Sequence, residues 1–344
     1  MMGERDQSQA QGVQVLLALS KMLMPEGAQR SEKEHRVMPK KEDTDVLHNA
    51  GTHPDWSESF YFNFYDKGND LLAFMRIGLK PNKGEKNIFC GMIMPDRTVL
   101  ATKSDIKSSG SDLSAGGLAF RKEVPEKLWR LSFDGQLFKS DGGKPVPEHV
   151  SFEIAFESLN EIFNYRDCVS GYKEQISSRV ASEHLEQFGR ARGTIVVGGK
   201  ALSIDGLGER DHSWGIRDWN APLMWIWITC QFSETHALNV TKLVVEEGEV
   251  DAGFVHYGGR NVPIKSAKVS TAFSQDGAPE SLEMALEDVD GKVHRLSGIV
   301  LKMATLPFKS SDSARLSTLY EPLARFAMGG EVGYGIAEYL VRKS

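Results

Sequence analysis

The sequence predicts an all-β protein of two antiparallel units, and three observations carry that prediction. Apolar residues recur at every second position in short runs from Trp56 onward. Segments rich in Gly, Ser, Asp, Lys and Pro separate those runs, and no convincing long amphipathic helix follows residue 25. In ESFYFNFY, Phe60, Phe62 and Phe64 share one face of a strand, and Tyr61, Asn63 and Tyr65 share the other. The turn-prone DKGND leads into LLAFMRIGL, and NIFCGMIM, VLATKSDI, LWRLSFDGQLF and VSFEIAFES continue the pattern. A polar break follows over residues 160–186, where SGYKEQISSRVASEHLEQ has room for one or two helical turns. Strand patterning resumes at GTIVVGGKALSIDG and runs through WIWITCQF, HALNVTKLVV, AGFVHYGG, AKVSTAFS, LEMALEDVDG and RLSGIVLKMA to a closing GYGIAEYLV. The expected division is an N-terminal helix and connector over 1–45, a first β unit over 46–185 and a second over 186–344.

At 344 residues the chain is long for a single core and sufficient for two. Its 40% apolar and 26% charged residues place it among globular chains. A net charge of −6 argues against general affinity for nucleic acid or anionic membranes. Cys90, Cys168 and Cys230 are scattered, with no CxxC pair and no Cys/His ligand spacing. Free buried thiols in a reducing, cytoplasmic compartment are therefore expected, without a disulfide framework or a zinc site. Near the start, VQVLLAL is the only apolar run; Glu4, Arg5 and Asp6 precede it, and Lys21 lies just beyond it. A secretory signal and an integral membrane segment are not expected. Val13, Leu16, Leu17, Leu23 and Met24 fall roughly on one side of a helix, which predicts a short docking helix ahead of a charged connector over 29–45. VVGGKALSIDGLG and GGEVGYG lack the context of nucleotide-binding loops and read as β-turn glycines.

The segment GERDHSWGIRDW, Gly208 to Trp219, packs five charges, a histidine and two tryptophans into twelve residues. Such charges beside aromatic surface suit the wall of a cavity. As an extended strand it puts Arg210, His212 and Trp214 on one face and Glu209, Asp211 and Ser213 on the other. On the next strand, Trp225, Trp227, Thr229 and Gln231 share a face, backed by Ile226, Ile228, Cys230 and Phe232. That aromatic and polar face suits a large, mostly apolar ligand, although large aromatics also fill cores. His212 is the candidate proton-transfer group, with the alternative of a hydrogen-bonded structural histidine. Asp211 orients the imidazole or caps a turn, and Arg217 with Asp218 reads as a local ion pair. For a metal, His212 could join Glu209, Asp211 or His256, but no two of these stand at a recognised ligand spacing, and no metal is expected. No GxSxG elbow supports a serine nucleophile.

GLGERDHSWG, Gly206 to Gly215, resembles the Asp-His-x-Trp-Gly signature of the hydroxyneurosporene synthase (carotenoid 1,2-hydratase) superfamily. DWSESFYFNFYD and HLEQFGRARG add a similarity to uncharacterised bacterial members. The resemblance covers roughly residues 45–344 in architecture and is specific in the central segment alone. It implies two lipocalin-like β-barrel domains, with proton transfer and cation stabilisation falling on His212 and Trp214. The hydratases also use a tyrosine and an aspartate on a later strand; this chain offers His236 and Asn239 there and no Tyr-x-Asp. The expected function is that of a cofactor-independent lyase or isomerase acting on a hydrophobic terpenoid or aromatic small molecule. Its expected catalytic residues are His212, Trp214 and Asp211, and its binding residues Trp225, Trp227, Arg217, Tyr61 and Asn63. The alternatives are a lipocalin-like carrier of an apolar metabolite and a pericyclase. No cofactor is expected, and a homodimer is left open.

Overall fold

Phe60, Phe62 and Phe64 are buried on one side of the first strand and Tyr61, Asn63 and Tyr65 on the other, so this strand is covered on both faces. The reason lies in the architecture of the computed structural model, which describes residues 44–139, 144–169, 171, 174, 183–216, 222–309 and 316–342. The expected N-terminal helix lies outside the described residues.

The first sheet holds β1 (Trp56–Asp66), β2 (Leu71–Lys80), β3 (Glu85–Ile93), β4 (Val99–Lys107), β5 (Ser114–Ala115), β6 (Leu118–Val124), β7 (Leu128–Lys139), β8 (Val146–Ser158), β9 (Phe163–Asn164), β10 (Glu183–Val197) and β11 (Lys200–Ile216). Its antiparallel path runs β4-β3-β2-β1-β11-β10-β8-β7, and β4 pairs with β7 at Leu100↔Lys139 and Ala101↔Phe138. That pairing joins the two ends of the path into a ring of strands. The second sheet is a closed barrel of β12 (Met224–Ser233), β13 (His236–Val245), β14 (Gly248–Tyr257), β15 (Arg260–Phe273), β16 (Pro279–Asp288), β17 (Val293–Lys309), β18 (Leu316–Met328) and β19 (Glu331–Arg342), each strand beside its neighbour in sequence. This is the up-and-down, eight-stranded order of a lipocalin-like barrel.

The sheets divide between Ile216 and Met224. The border expected at 185/186 falls inside β10, which pairs with β8 and β11 in the first sheet. Among the described residues the polar break holds the short strand β9 and a 3₁₀ turn, Tyr165–Asp167, whose N-terminus is capped by Asn164 accepting the Arg166 N–H at 2.9 Å. Glu174 is helical, and most of the segment expected to form helical turns lies outside the described residues. Residues 183–187, the end of that break, open β10 instead.

Glycine pairs form several of the hairpins. Gly198-Gly199 joins β10 to β11 and Gly329-Gly330 joins β18 to β19, each with two positive φ angles (55° and 77°; 57° and 92°). Two positive φ values in a two-residue loop are the demand of a type I′ turn, which glycine meets without steric cost. The leading pair of each glycine stretch is therefore a turn, whereas Gly206 and Gly208 lie within β11 and Gly333 and Gly335 within β19.

Three apolar clusters follow from the period-two pattern. Phe60, Phe62, Phe64, Met75, Trp129 and Phe156 belong to the core of the first sheet, and Ile226, Ile228, Val240, Met284 and Phe326 to that of the second barrel. The third cluster draws Tyr61, Tyr65, Leu72, Phe74 and Phe188 from the first sheet and Trp225, Trp227, Leu243, Phe254 and Ile336 from the second. It is the seam between the barrels, and it explains why β1 is buried on both faces.

Candidate functional site

Strand β11 lies between β1 and β10, with Asp211 opposite Tyr61 on one side and Glu186 on the other. Its side chains alternate as expected, but the two faces meet different parts of the molecule. Glu209 and Asp211 look into the seam. Arg210 and His212 look into the first sheet.

In the seam, His184 of β10 stands with Nε2 2.8 Å from Glu186 Oε1 and 3.3 Å from Asp211 Oδ2. Its ring lies nearly parallel to Tyr165 at 4.4 Å and to Trp225 at 6.5 Å between centroids. The Tyr165 hydroxyl sits 3.1 Å from Glu186 Oε1, 2.8 Å from Asn239 Oδ1 and 2.7 Å from Thr241 Oγ1. The Trp227 indole N–H donates to Glu186 Oε1 at 2.7 Å, and Asn239 donates to Glu209 Oε2 at 3.2 Å. Thus strands of the second barrel supply donors for the carboxylates of the first.

Burial is the largest influence on His184, Tyr165, Glu186, Glu209, Glu321 and Glu338. It penalises the charged form of His184, but the negative charges of Asp211 and Glu186 outweigh it and raise the imidazole to about 9. Burial also raises Glu186, against the opposing pull of His184, and drives Glu209 well above the usual carboxylate range, with Glu186 adding to the effect. A second acid pair lies on the barrel side of the seam. Burial and Glu338 hold Glu321 well up, and burial raises Glu338 to about 7 against a hydrogen bond from Glu321. Glu338 stands opposite Trp227 across β12 and β19. Near neutrality the seam therefore combines a charged imidazole with carboxyl groups that retain protons.

His184 and Tyr165 also line a cavity whose other walls include Trp225, Val169, Leu243, Val250 and Ala252. Its volume is about 40 Å³. That is well below the ~300–1,000 Å³ of an ordinary small-molecule site, so a substrate must part these mostly apolar walls to enter.

On the opposite face, His212 is buried and stacked on Phe60 at 3.9 Å. Its Nδ1 lies 2.7 Å from the Thr44 carbonyl and its Nε2 2.8 Å from Glu58 Oε1. Burial pulls its pKa below the ordinary value, against the hydrogen bond to Glu58. Trp214 stacks on His48 at 3.7 Å, and His48 Nδ1 meets the same Glu58 oxygen at 2.7 Å. Arg210 pairs with Asp45 at 2.8 Å and donates to Gln187 at 2.8 Å. Asp45 accepts the Glu126 N–H, and Thr44 donates to the Glu126 side chain. The end of the expected connector is thus fastened to β11 and to the turn between β6 and β7.

The structure brings Asp211, Tyr61, Asn63, Trp225 and Trp227 to the seam and places His212 and Trp214 on the far side of β11. Arg217 and Asp218 lie outside the described residues. Asp211 orients His184 rather than His212. His212 stands with His48 and Glu58, and not with Glu209, Asp211 or His256, whose ring instead meets Asn261 at 2.9 Å. Sequence reasoning does not single out His184, Glu186, Tyr165, Glu321 or Glu338 as site residues. Of these, His184 and Glu186 stand in the segment HLEQFGRARG, where strand alternation puts them on one face.

Two antiparallel barrels, the second closed and eight-stranded, with a buried acid–imidazole site at their seam, define a two-barrel protein of lipocalin-like fold. The chain belongs to the family described as "Domain of unknown function (DUF7064)", which it matches over residues 41–343. Its fold is similar to that of CghA, seen in a crystal structure with Sch210972, at 11% identity and a TM-score of 0.54, covering 86% of this chain and 93% of that one. It is equally similar to kievitone hydratase from Nectria haematococca, at 12% identity and a TM-score of 0.55, again covering 86% of this chain and 93% of that one. No curated protein matches the chain in sequence.

Proposed function

We propose that the protein is a cofactor-independent lyase or isomerase that moves a proton on a hydrophobic terpenoid or aromatic small molecule held at the seam. One observation carries this reading: His184, flanked by Asp211 and Glu186, forms the polar end of a cavity whose walls are otherwise mostly apolar. The role expected of His212 passes to His184. As a cation, His184 is the proton donor; the two carboxylates favour its charged form, and the ring regains its proton from the attacking water or from the carbon that loses one. Tyr165, stacked on His184, holds its hydroxyl toward the polar groups of the other barrel and is the second group able to pass a proton. Trp225 offers an aromatic face to positive charge developing on the substrate, a contact worth ~2 kcal/mol when desolvated. The similar fold of a protein titled a hydratase supports the reading.

Deuterium transfer tests it. Purified protein is incubated in D₂O with a panel of prenylated phenols and terpenoid alkenes, and each compound is weighed by mass spectrometry. Wild type is expected to introduce solvent deuterium or add water to at least one compound. His184→Gln is expected to lower that rate by roughly 10²–10⁴-fold, the size of a general acid–base contribution, with the fold retained. Compounds that bind but are never altered would instead mark a carrier.

A further inference from the structure

On the face of β11 away from the seam, three side chains from three parts of the chain aim at one point. His48 precedes β1, Glu58 lies on β1 and His212 on β11. Their ligand atoms all lie within 4.8 Å of one another. Glu58 Oε1 is 2.7 Å from His48 Nδ1 and 2.8 Å from His212 Nε2, and Glu58 Oε2 accepts the His48 backbone N–H at 2.9 Å. Each ring is held in place by an aromatic partner: Trp214 lies parallel to His48 at 3.7 Å, and Phe60 lies against His212 at 3.9 Å.

Hydrogen-bond chemistry sets the direction of the argument. The Thr44 carbonyl can only accept, so His212 Nδ1 carries a hydrogen and donates it at 2.7 Å. A neutral His212 then presents a lone pair at Nε2 to a carboxylate oxygen. That arrangement calls for a cation between the two, a proton or a metal ion. An imidazole whose second nitrogen donates to a backbone carbonyl, while its first aims at a carboxylate and another imidazole, is the usual wiring of a metal ligand.

The seam cluster of His184, Glu186 and Asp211 provides the contrast. There, Glu186 Oε1 already takes the Trp227 N–H at 2.7 Å and faces the Tyr165 hydroxyl at 3.1 Å. Glu58 Oε1 instead faces two imidazole nitrogens, His48 Nδ1 at 2.7 Å and His212 Nε2 at 2.8 Å.

We infer that His48, Glu58 and His212 form a binding site for one divalent first-row transition-metal ion, zinc or iron(II) in class. Two imidazoles and one carboxylate suit these ions and leave coordination positions for water. His48, at 24% side-chain exposure, gives the site its opening to solvent. The ion would tie the segment ahead of β1 to β1 and β11, so its first effect is on stability. The site is separate from the seam and stands independently of the function proposed there.

The test uses the full chain, stripped with EDTA and titrated with Co²⁺, whose visible absorption reports imidazole ligation, and then with Zn²⁺. The expected result is saturation at about one equivalent, displacement of Co²⁺ by Zn²⁺, and a higher melting temperature for the loaded protein. His48→Gln, at a partly exposed position, should fold and lose the saturable absorption. Glu58→Gln should weaken Zn²⁺ binding by at least tenfold, a typical loss for one ligand-sphere change, and His184→Gln should leave it unchanged. Absence of saturable Co²⁺ and Zn²⁺ binding by wild type would overturn the inference. So would full retention in His48→Gln, or a loss in His184→Gln that transfers the site to the seam.

Discussion

The two faces of β11 carry similar residues at similar depth and end in different electrostatic states. On the inner face, burial alone would raise Glu58, but its close contacts with the His212 and His48 imidazoles outweigh it and hold the carboxyl below its usual range. Arg210 likewise meets Asp45 in a pair almost without solvent contact. On the seam face one histidine serves both Asp211 and Glu186, and Glu186 and Glu209 are pushed up. The leftover polar capacity differs too. Among the described residues, Glu186 Oε2, Glu209 Oε1, Glu321 Oε2 and the Tyr61 hydroxyl are buried without a hydrogen-bond partner. These four belong to the seam residues, whereas Arg210 Nη2 and Trp129 Nε1 are the corresponding atoms of the inner set. The comparison teaches that burial does not by itself fix a carboxyl's charge; the supply of cations and donors does. A set matched in charge holds chain segments together, and an undersupplied one retains protons and room for a partner.

The largest expected effect on stability comes from breaking the matched set. Arg210→Met leaves Asp45 charged and buried, which should cost about 3–5 kcal/mol. A drop of roughly 5–15 °C in melting temperature follows from the usual scaling for a chain of this size. Adding Asp45→Leu should restore part of that loss, because the orphaned charge is removed with its partner. Arg210→Met within a degree of wild type by calorimetry would show that the inner face is not a clamp.

A smaller effect is expected from pH, and it isolates the seam. His184 has a folded pKa raised to about 9 from 6.5, so its stabilisation is fully present below about pH 6.5 and is lost as pH rises through 9. The full shift corresponds to about 3 kcal/mol. Glu338, raised from 4.5 to about 7, also makes stability fall with rising pH, but in the window between those two values. Wild type should therefore lose stability in two successive steps, and His184→Gln should flatten the upper one and, by removing a charge that lowers Glu338, move the lower one upward. Chemical denaturation from pH 5 to 9.5 reads both. An upper step that survives in His184→Gln would separate it from the seam histidine.

Trp214→Phe is the mildest change. It shortens the stack on His48 while keeping an aromatic ring, and should cost about 1 kcal/mol. A loss several times larger would mean that the indole supports more of the inner face than its contact with His48.

Alternation made much of this legible. Period two assigned the faces of β1, β11 and β12 correctly, and the glycine pairs marked their hairpins. It also put Asp211, Tyr61, Asn63, Trp225 and Trp227 where they could meet. It could not say which body each face would meet, because that depends on barrel packing against barrel. His212 and Trp225 look adjacent in sequence terms, yet β11 belongs to one sheet and β12 to the other. Glu321 and Glu338 lie more than a hundred residues beyond His184, and nothing local marks either as part of its surroundings. The HLEQ of β10 was obscured by a polar context that read as helical. His48 sat in no pattern at all, since it lies outside the strands.

The strict alternation along β11 also limits how this gene can vary. Losing or gaining a single codon within Glu209 to Trp214 would rotate every later side chain by half a turn. The carboxylates would swing into the first sheet, and the histidine and arginine would swing out toward the second barrel. Point substitutions test one face at a time, but a length change exchanges both. Viable length variation should therefore be confined to the hairpins and to the joint between Ile216 and Met224, leaving the strand itself constant in length.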